Sequence, residues 1–265
     1  MTAQRTAAKN GRWWWLLLAS FAVSATVLAP AALLERATGG TPSARTRFVA
    51  DAGTIWSGRG RIAIIPDSTP IVIPIAWRFD PRALSGLRLG YFIEVNAPVL
   101  SGSAHLGLGF GSLELRDAAV SADARLLSMA HPAAALFAPA GKIRLQQSAD
   151  EQFSVRAAAN DKQTWRVDGL MGLQAEQLAF GGVVNAPVGS HEFKLRGDGL
   201  TINVSILRSN GPLKLEGTGS IALAPPRRFT FSGFATVPAD APAALKQLGP
   251  TLSDGRQRIE LNTTW

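Results

Sequence analysis

Residues 53–60 read Gly-Thr-Ile-Trp-Ser-Gly-Arg-Gly. Gly53 and Gly58 have the spacing of the glycines in a G-x-x-x-x-G-K-[ST] phosphate loop. There, backbone N–H groups cradle phosphates, the lysine contacts them and a hydroxyl holds magnesium. Here Arg59 stands where the lysine belongs and Gly60 where the hydroxyl belongs. The next residues, Arg61-Ile62-Ala63-Ile64-Ile65, read as a strand and not as the required helix. Nucleotide chemistry is set aside on those three counts. The stretch then reads as a strand carrying Ile55 and Trp56, a Ser57-Gly58 turn or bulge, and a second strand. The Trp56 indole is expected to anchor one end of a core.

The other chemistry-bearing residues are sparse. His105, His131 and His191 are far apart in sequence, so no H-x-x-x-H metal pair exists. There is no cysteine, hence no disulfide framework and no thiolate ligand set. No G-x-S-x-G nucleophile elbow occurs. Asp150 and Glu151 are adjacent, and in a strand would point to opposite faces; Asp67 and Asp117 sit beside expected turns. The sequence therefore nominates no catalytic residue, no cofactor and no metal site, and each histidine reads as structural or surface.

The formal net charge is +8. Arg5, Lys9, Arg12 and Arg36 against Glu35 give +3 before residue 37, leaving +5 for the rest of the chain. No run of Lys and Arg interleaved with aromatics appears, so a nucleic-acid partner is not expected. An anionic membrane surface is the simpler neighbour.

Trp13–Leu34 is a stretch of 22 residues without a charge. A helix of that length spans a hydrocarbon core of about 30 Å. Basic residues precede it without acidic ones, which places residues 1–12 in the cytoplasm and the bulk of the chain across the membrane. Trp13, Trp14 and Trp15 stand at the cytoplasmic interface, and Leu34 ends the anchor. A cleaved signal peptide is the rival, with Ala29-Pro30-Ala31 as an A-x-A site, but the apolar run exceeds the usual apolar region of about 7–15 residues.

Residues 35–46 form a linker, and residues 47–265 read as a β-rich domain. Polar and apolar residues alternate at 112–116, 142–146, 192–196, 213–216 and 258–261. Period two with one wet face means half-buried, mostly antiparallel strands. Ile71-Val72-Ile73-Pro74-Ile75 is denser, and its proline suggests an edge or bulge. Two short helices are expected. One starts near Asp123 with Arg125, Leu126, Leu127 and Met129, ahead of Pro132, Leu136 and Phe137; the other is capped by Asp240, with Pro242, Leu245 and Leu248 before Gly249-Pro250.

The pieces recur. Trp77-Arg78-Phe79-Asp80 is echoed by Trp165-Arg166-Val167-Asp168, and Val95-Asn96-Ala97-Pro98-Val99 returns unchanged 89 positions later as Val184–Val188. The expected fold is all-β. One elongated, twisted antiparallel sheet is built from two related β-meander units (about 47–148 and 149–265), with two short helices and a preceding transmembrane helix. Chance likeness between similar strands is the alternative. The C-terminal alternation up to Trp265 imitates an outer-membrane strand, but the chain has 1 tyrosine, too few for aromatic girdles.

A tryptophan-rich anchor followed by the Gly53–Gly60 box resembles type II secretion system protein N. Trp77 with Leu84, Gly86, Leu87 and Leu89 is similar to the family pattern. So are Gly141-Lys142-Ile143-Arg144-Leu145, then Leu245, Leu248 and Gly249 with Asp254-Gly255-Arg256. The resemblance implies a non-enzymatic inner-membrane accessory component with a periplasmic β domain, whose partners are other secretion-system proteins. It assigns no functional residue; Gly53, Trp56 and Gly58 are its structural signature. The rival function is a periplasmic carrier for lipid or another hydrophobic ligand, with Ile71–Ile75 lining an apolar groove.

Overall fold

The segments whose residues alternate with period two lie in strands, Leu213 standing one residue ahead of its own. A computed structural model describes residues 11–38, 46–64, 71–130, 138–147, 151–158, 161–181, 184–238, 246 and 249–264. The described chain is mostly β, with antiparallel pairing and four short helices. It forms two compact units, Met1–Arg78 and Phe79–Trp265.

In the first unit, helix α1 (Gly11–Val27) is followed by a four-residue break and helix α2 (Ala32–Thr38). The apolar run over 13–34 is therefore divided between two helices. At 17 residues α1 is about 26 Å long. Among the described residues no helix is long and apolar enough to cross a membrane. The physical reason for the break is Pro30, whose missing N–H and ring disfavour a continuing helix, together with the backbone bonds that Ala29 and Ala31 make to Ile55 and Gly53. The strands of this unit are β1 (Thr46–Gly53), β2 (Ser57–Ile64) and β3 (Ile71–Asp80). β1 pairs with β2 through a bulge between Ala50 and Ala52, and β2 pairs with β3 so that Gly58 faces Trp77. Ile73 and Trp77 are buried, while Val72 and Pro74 are exposed: the Ile71–Ile75 run alternates as a one-sided strand.

The second unit opens with a 3-10 helix, Pro81–Gly86, whose N-cap Asp80 accepts from the Arg82 N–H at 3.0 Å. The strands are β4 (Leu89–Ala97), β5 (Leu100–Gly109), β6 (Ser112–Asp123), β7 (Pro139–Gln146), β8 (Phe153–Ala158), β9 (Asp161–Phe180), β10 (Val184–Gly199), β11 (Thr201–Asn210), β12 (Lys214–Ala222), β13 (Arg228–Thr236) and β14 (Gln257–Thr264). They pair in chain order with one exception. β7 and β8 lie end to end in a single lane: Ala119–Asp123 of β6 pairs with β7 and Ser112–Leu115 with β8, and β9 runs along both. Residue 148, the expected junction of two repeats, falls in the sequence between those two half-lanes. The echoed pentapeptides occupy different settings: Val95–Ala97 closes β4, whereas Val184–Val188 opens β10.

The helix expected from Asp123 is α3 (Leu126–Ala130), with Asp123 accepting from the Arg125 N–H at 2.9 Å. The helix expected at 240–248 lies, apart from residue 246, outside the described residues. Register sorts the strands of the second unit into two faces. Leu145, Leu173, Phe193 and Ile206 make one apolar row, and Met171, Leu195 and Val204 another. On the opposite face Arg144, Gln174, Glu192 and Arg208 neighbour one another. The most enclosed cluster is Val188, Leu213, Ala235 and Ile259, flanked by Leu178, Leu215, Phe231 and Val237.

Candidate functional site

The signature stretch is a tight turn that holds the end of the apolar helix. Thr54 N–H donates to the Ser57 carbonyl at 2.8 Å, and the Thr54 hydroxyl accepts from the N–H groups of Trp56 and Ser57 at 3.2 and 3.3 Å. A short hydroxyl side chain hydrogen-bonding its own turn is what threonine does well in such places. Gly53 enters the turn at φ +104, and a Cβ there would stand 2.4 Å from the Ser57 carbonyl oxygen. Glycine is thus required twice over, by conformation and by space.

Three hydrogen bonds tie this turn to the chain leaving α1. Ile55 N–H donates to the Ala29 carbonyl at 2.9 Å, and Ala31 N–H donates to the Gly53 carbonyl at 3.1 Å. The Trp56 indole N–H donates to the Thr26 carbonyl at 2.7 Å. The last four carbonyls of a helix lack intrahelical partners, so the indole supplies a donor at the C-terminal end of α1. Ala29 and Ala31 are buried as a result.

On the other side of the turn lies Trp77. Its indole N–H donates to the Thr54 carbonyl at 3.2 Å, and its ring meets Phe48 edge-on at 5.6 Å between centroids. Gly58 lies against that ring: a Cβ would come within 2.5 Å of Trp77 Cζ2 and 2.6 Å of the Ala52 carbonyl oxygen. The structure thus brings Gly53, Trp56 and Gly58 together. It also corrects the expected role of Trp56: the buried core indole is Trp77, while Trp56 is half-buried and caps a helix. Nothing local in the sequence separates the two tryptophans, because the partner of Trp56 is 30 residues away.

Of the anchor residues, Trp14 and Trp15 are 70% and 74% exposed, and Leu16, Leu17, Leu18, Phe21 and Val23 are each more than half exposed. Leu34 lies in α2 and is half-buried; the Trp13 side chain lies outside what is described. A helix apolar on all sides has no water-facing stripe and is at home only inside a large core or in lipid.

His105 lies 3.5 Å from Asp80 and tilts against Phe92. His191 is buried on β10, with Nδ1 at 2.9 Å from the Ser209 hydroxyl and Nε2 without a partner. Burial holds its imidazole below the ordinary value. His131 lies outside the described residues. Glu114, 4% exposed, is gripped by Arg88 and Arg116; Arg116 is two residues along β6, and the cluster escapes sequence reading because Arg88, just ahead of β4, joins it only in the fold. Among the described residues no group of three or more His, Asp or Glu is placed to hold a metal.

Two cavities of about 650 and 830 Å³ open on the second unit. Lys142, Glu176 and Arg208 border the first, and Lys194, Arg196 and Thr218 the second. The first is bordered mostly by polar and charged side chains; in the second Val204, Phe231 and Leu261 stand among the polar ones. β14 is last in the strand order. Its Arg258 N–H donates outward to the Pro250 carbonyl at 3.0 Å. By the two-residue period, the N–H groups of Glu260, Asn262 and Thr264 point the same way.

The family model of type II secretion system protein N matches residues 50–260. No curated protein and no solved structure matches the chain.

Proposed function

The chain belongs to the type II secretion system protein N family, and on that premise we propose that it is a non-enzymatic accessory component of the secretion machine, anchored in the inner membrane. In this reading residues 1–12 are cytoplasmic, the apolar segment enters the bilayer as a single pass, and the β units stand in the periplasm. The observation that carries the anchoring is α1: from Trp14 to Val27 it is uncharged, mostly apolar and exposed all round, and the Gly53–Gly58 turn is bonded to its end.

The same turn gives the anchor mechanical meaning. Backbone bonds from Ile55 and Ala31, plus the Trp56 indole, make a short rigid joint where a loose linker would otherwise stand. The outward edge of β14 supports engagement of a protein partner by strand addition, which needs backbone donors and acceptors but no special side-chain chemistry. Anchoring raises the local concentration of such a partner and turns a weak strand contact into a useful one.

Deletion of the chain in a strain whose export depends on this system is expected to impair release of folded periplasmic substrates. Re-expression restores release, and the same chain with Thr264→Pro and Asn262→Pro on the β14 edge restores it poorly. Undiminished export after deletion refutes the proposal. Full rescue by the proline variant refutes the β14 assignment and leaves the membership in the machine standing.

A further inference from the structure

We propose that one end of the second unit, formed by the 3-10 helix Pro81–Gly86 and the β5–β6 hairpin, dips into the surface of a phospholipid bilayer. Phe110 occupies the hairpin turn and is 104% exposed; Leu87, just past the 3-10 helix, is 86% exposed. Register makes the patch contiguous. Leu89 pairs with Leu108, and Leu108 with Leu113, so three leucines stand abreast across β4, β5 and β6 directly behind Phe110. Each is more than a third exposed, and Leu84 is half exposed. Single exposed apolar residues need no explanation, whereas a contiguous set marks an interaction surface.

Leu87 supplies an independent observation. It caps the 3-10 helix in the left-handed region, at φ 54 and ψ 39. Glycine is the usual residue there, because an L side chain in that conformation is strained. The left-handed backbone serves the cap, with the Leu87 N–H donating to the Leu84 carbonyl at 2.9 Å, but the cap needs no side chain; an apolar environment outside the chain gives the exposed leucine a use.

A bilayer fits better than a protein groove. Phe110 and Leu87 project as separate points, and a lipid surface accepts projecting side chains without shape complementarity. Behind them, Arg88 and Arg116 clasp Glu114, with Arg82 in the 3-10 helix bordering the same hollow. Guanidinium groups behind an apolar tip sit at headgroup depth. Asp80 and Asp117 balance the remaining arginine charge, so insertion is driven by the apolar tip and depends little on lipid charge. A bilayer is within the chain's reach through its own apolar N-terminal segment, and the inference rests on that reading.

The chain has no cysteine, so single cysteines can be labelled cleanly. The full chain is reconstituted in phosphatidylethanolamine–phosphatidylglycerol vesicles with a polarity-sensitive fluorophore at Phe110→Cys, Leu87→Cys, Leu17→Cys in α1, or Ser101→Cys beside the β4–β5 turn. Nitroxide-bearing lipids are expected to quench Phe110→Cys and Leu87→Cys several-fold more than Ser101→Cys. Adding Phe110→Asp abolishes quenching at Leu87→Cys and leaves Leu17→Cys unchanged. Quenching at Leu17→Cys alone overturns this inference and spares the anchor. Quenching at neither Leu17 nor Phe110 overturns both. A blue-shifted but unquenched label at Phe110 means that protein covers the tip, and also overturns the proposal.

Discussion

Gly58→Ala tests the packing of the signature turn most directly. The added methyl would come within 2.5 Å of Trp77 Cζ2, 3.0 Å of Trp77 Cε2 and 2.6 Å of the Ala52 carbonyl oxygen. Neither neighbour yields easily. The Trp77 ring is held by its bond to the Thr54 carbonyl and by Phe48, and the Ala52 carbonyl is β1 backbone beside the bulge. Overpacking of this kind costs about 1–3 kcal/mol. At about 2–4 °C per kcal/mol for a chain of this size, the midpoint of thermal unfolding should fall by about 2–12 °C. The assay is circular dichroism of the full chain in detergent micelles. Trp77→Phe removes the benzo ring that the methyl strikes, so the cost of Gly58→Ala should shrink by about 1 kcal/mol in that background, a coupling within the range for residues in contact. A midpoint unchanged by Gly58→Ala, or an equal cost in both backgrounds, refutes the packing described for Gly58 and Trp77.

Trp56→Phe deletes the indole donor to Thr26 and should cost only about 0.5–1.5 kcal/mol, with faster hydrogen exchange at the Ile55 and Ala31 amides; unchanged exchange there refutes the clamp. Trp77→Ala, which empties a buried site, should cost about 3–5 kcal/mol, and a smaller loss than for Trp56→Ala would reverse the roles assigned to the two indoles. Glu114→Gln leaves Arg88 and Arg116 without their shared carboxylate. Because both arginines keep partial solvent contact, the expected loss is about 1–3 kcal/mol by urea unfolding, and a neutral result refutes the cluster. His191 is held below its ordinary value of 6.5 by burial, so the folded chain takes up that proton less readily than the unfolded chain. Its contribution is neutral above about pH 6.5 and turns destabilising as pH falls through that value toward the folded one. His191→Gln should flatten the stability curve between about pH 7 and about pH 5, and a slope equal to that of the parent refutes the assignment.

The features legible in the sequence and those hidden from it divide along the range of the interaction. Period-two alternation locates β6, β7, β10, β12 and β14 because each strand presents one wet face, a local property. Asp123 announces α3 for the same reason, since an acceptor two residues ahead of an amide is a local cap. The apolar run continues through Leu34 while helix α1 stops at Val27; Pro30 marks that break locally, but the bonds that Ala29 and Ala31 make to a turn farther down the chain are not encoded in hydropathy. The split lane of β7 and β8 is hidden in the same way. β6 is one strand, yet two different strands occupy its edge, and only the twenty-residue length of β9 hints at the need for both. The GTIWSG box shows both limits together. Its glycines, threonine and turn are visible in the sequence, and so is the failure of phosphate chemistry. Its purpose depends on which tryptophan faces inward, and that is decided by Thr26 on one side and Gly58 on the other. A family signature built from two glycines and an indole is thus explained without any reacting group: the glycines exclude side chains from a crowded joint, and the indole closes the end of a helix that β1 and β2 hold in place.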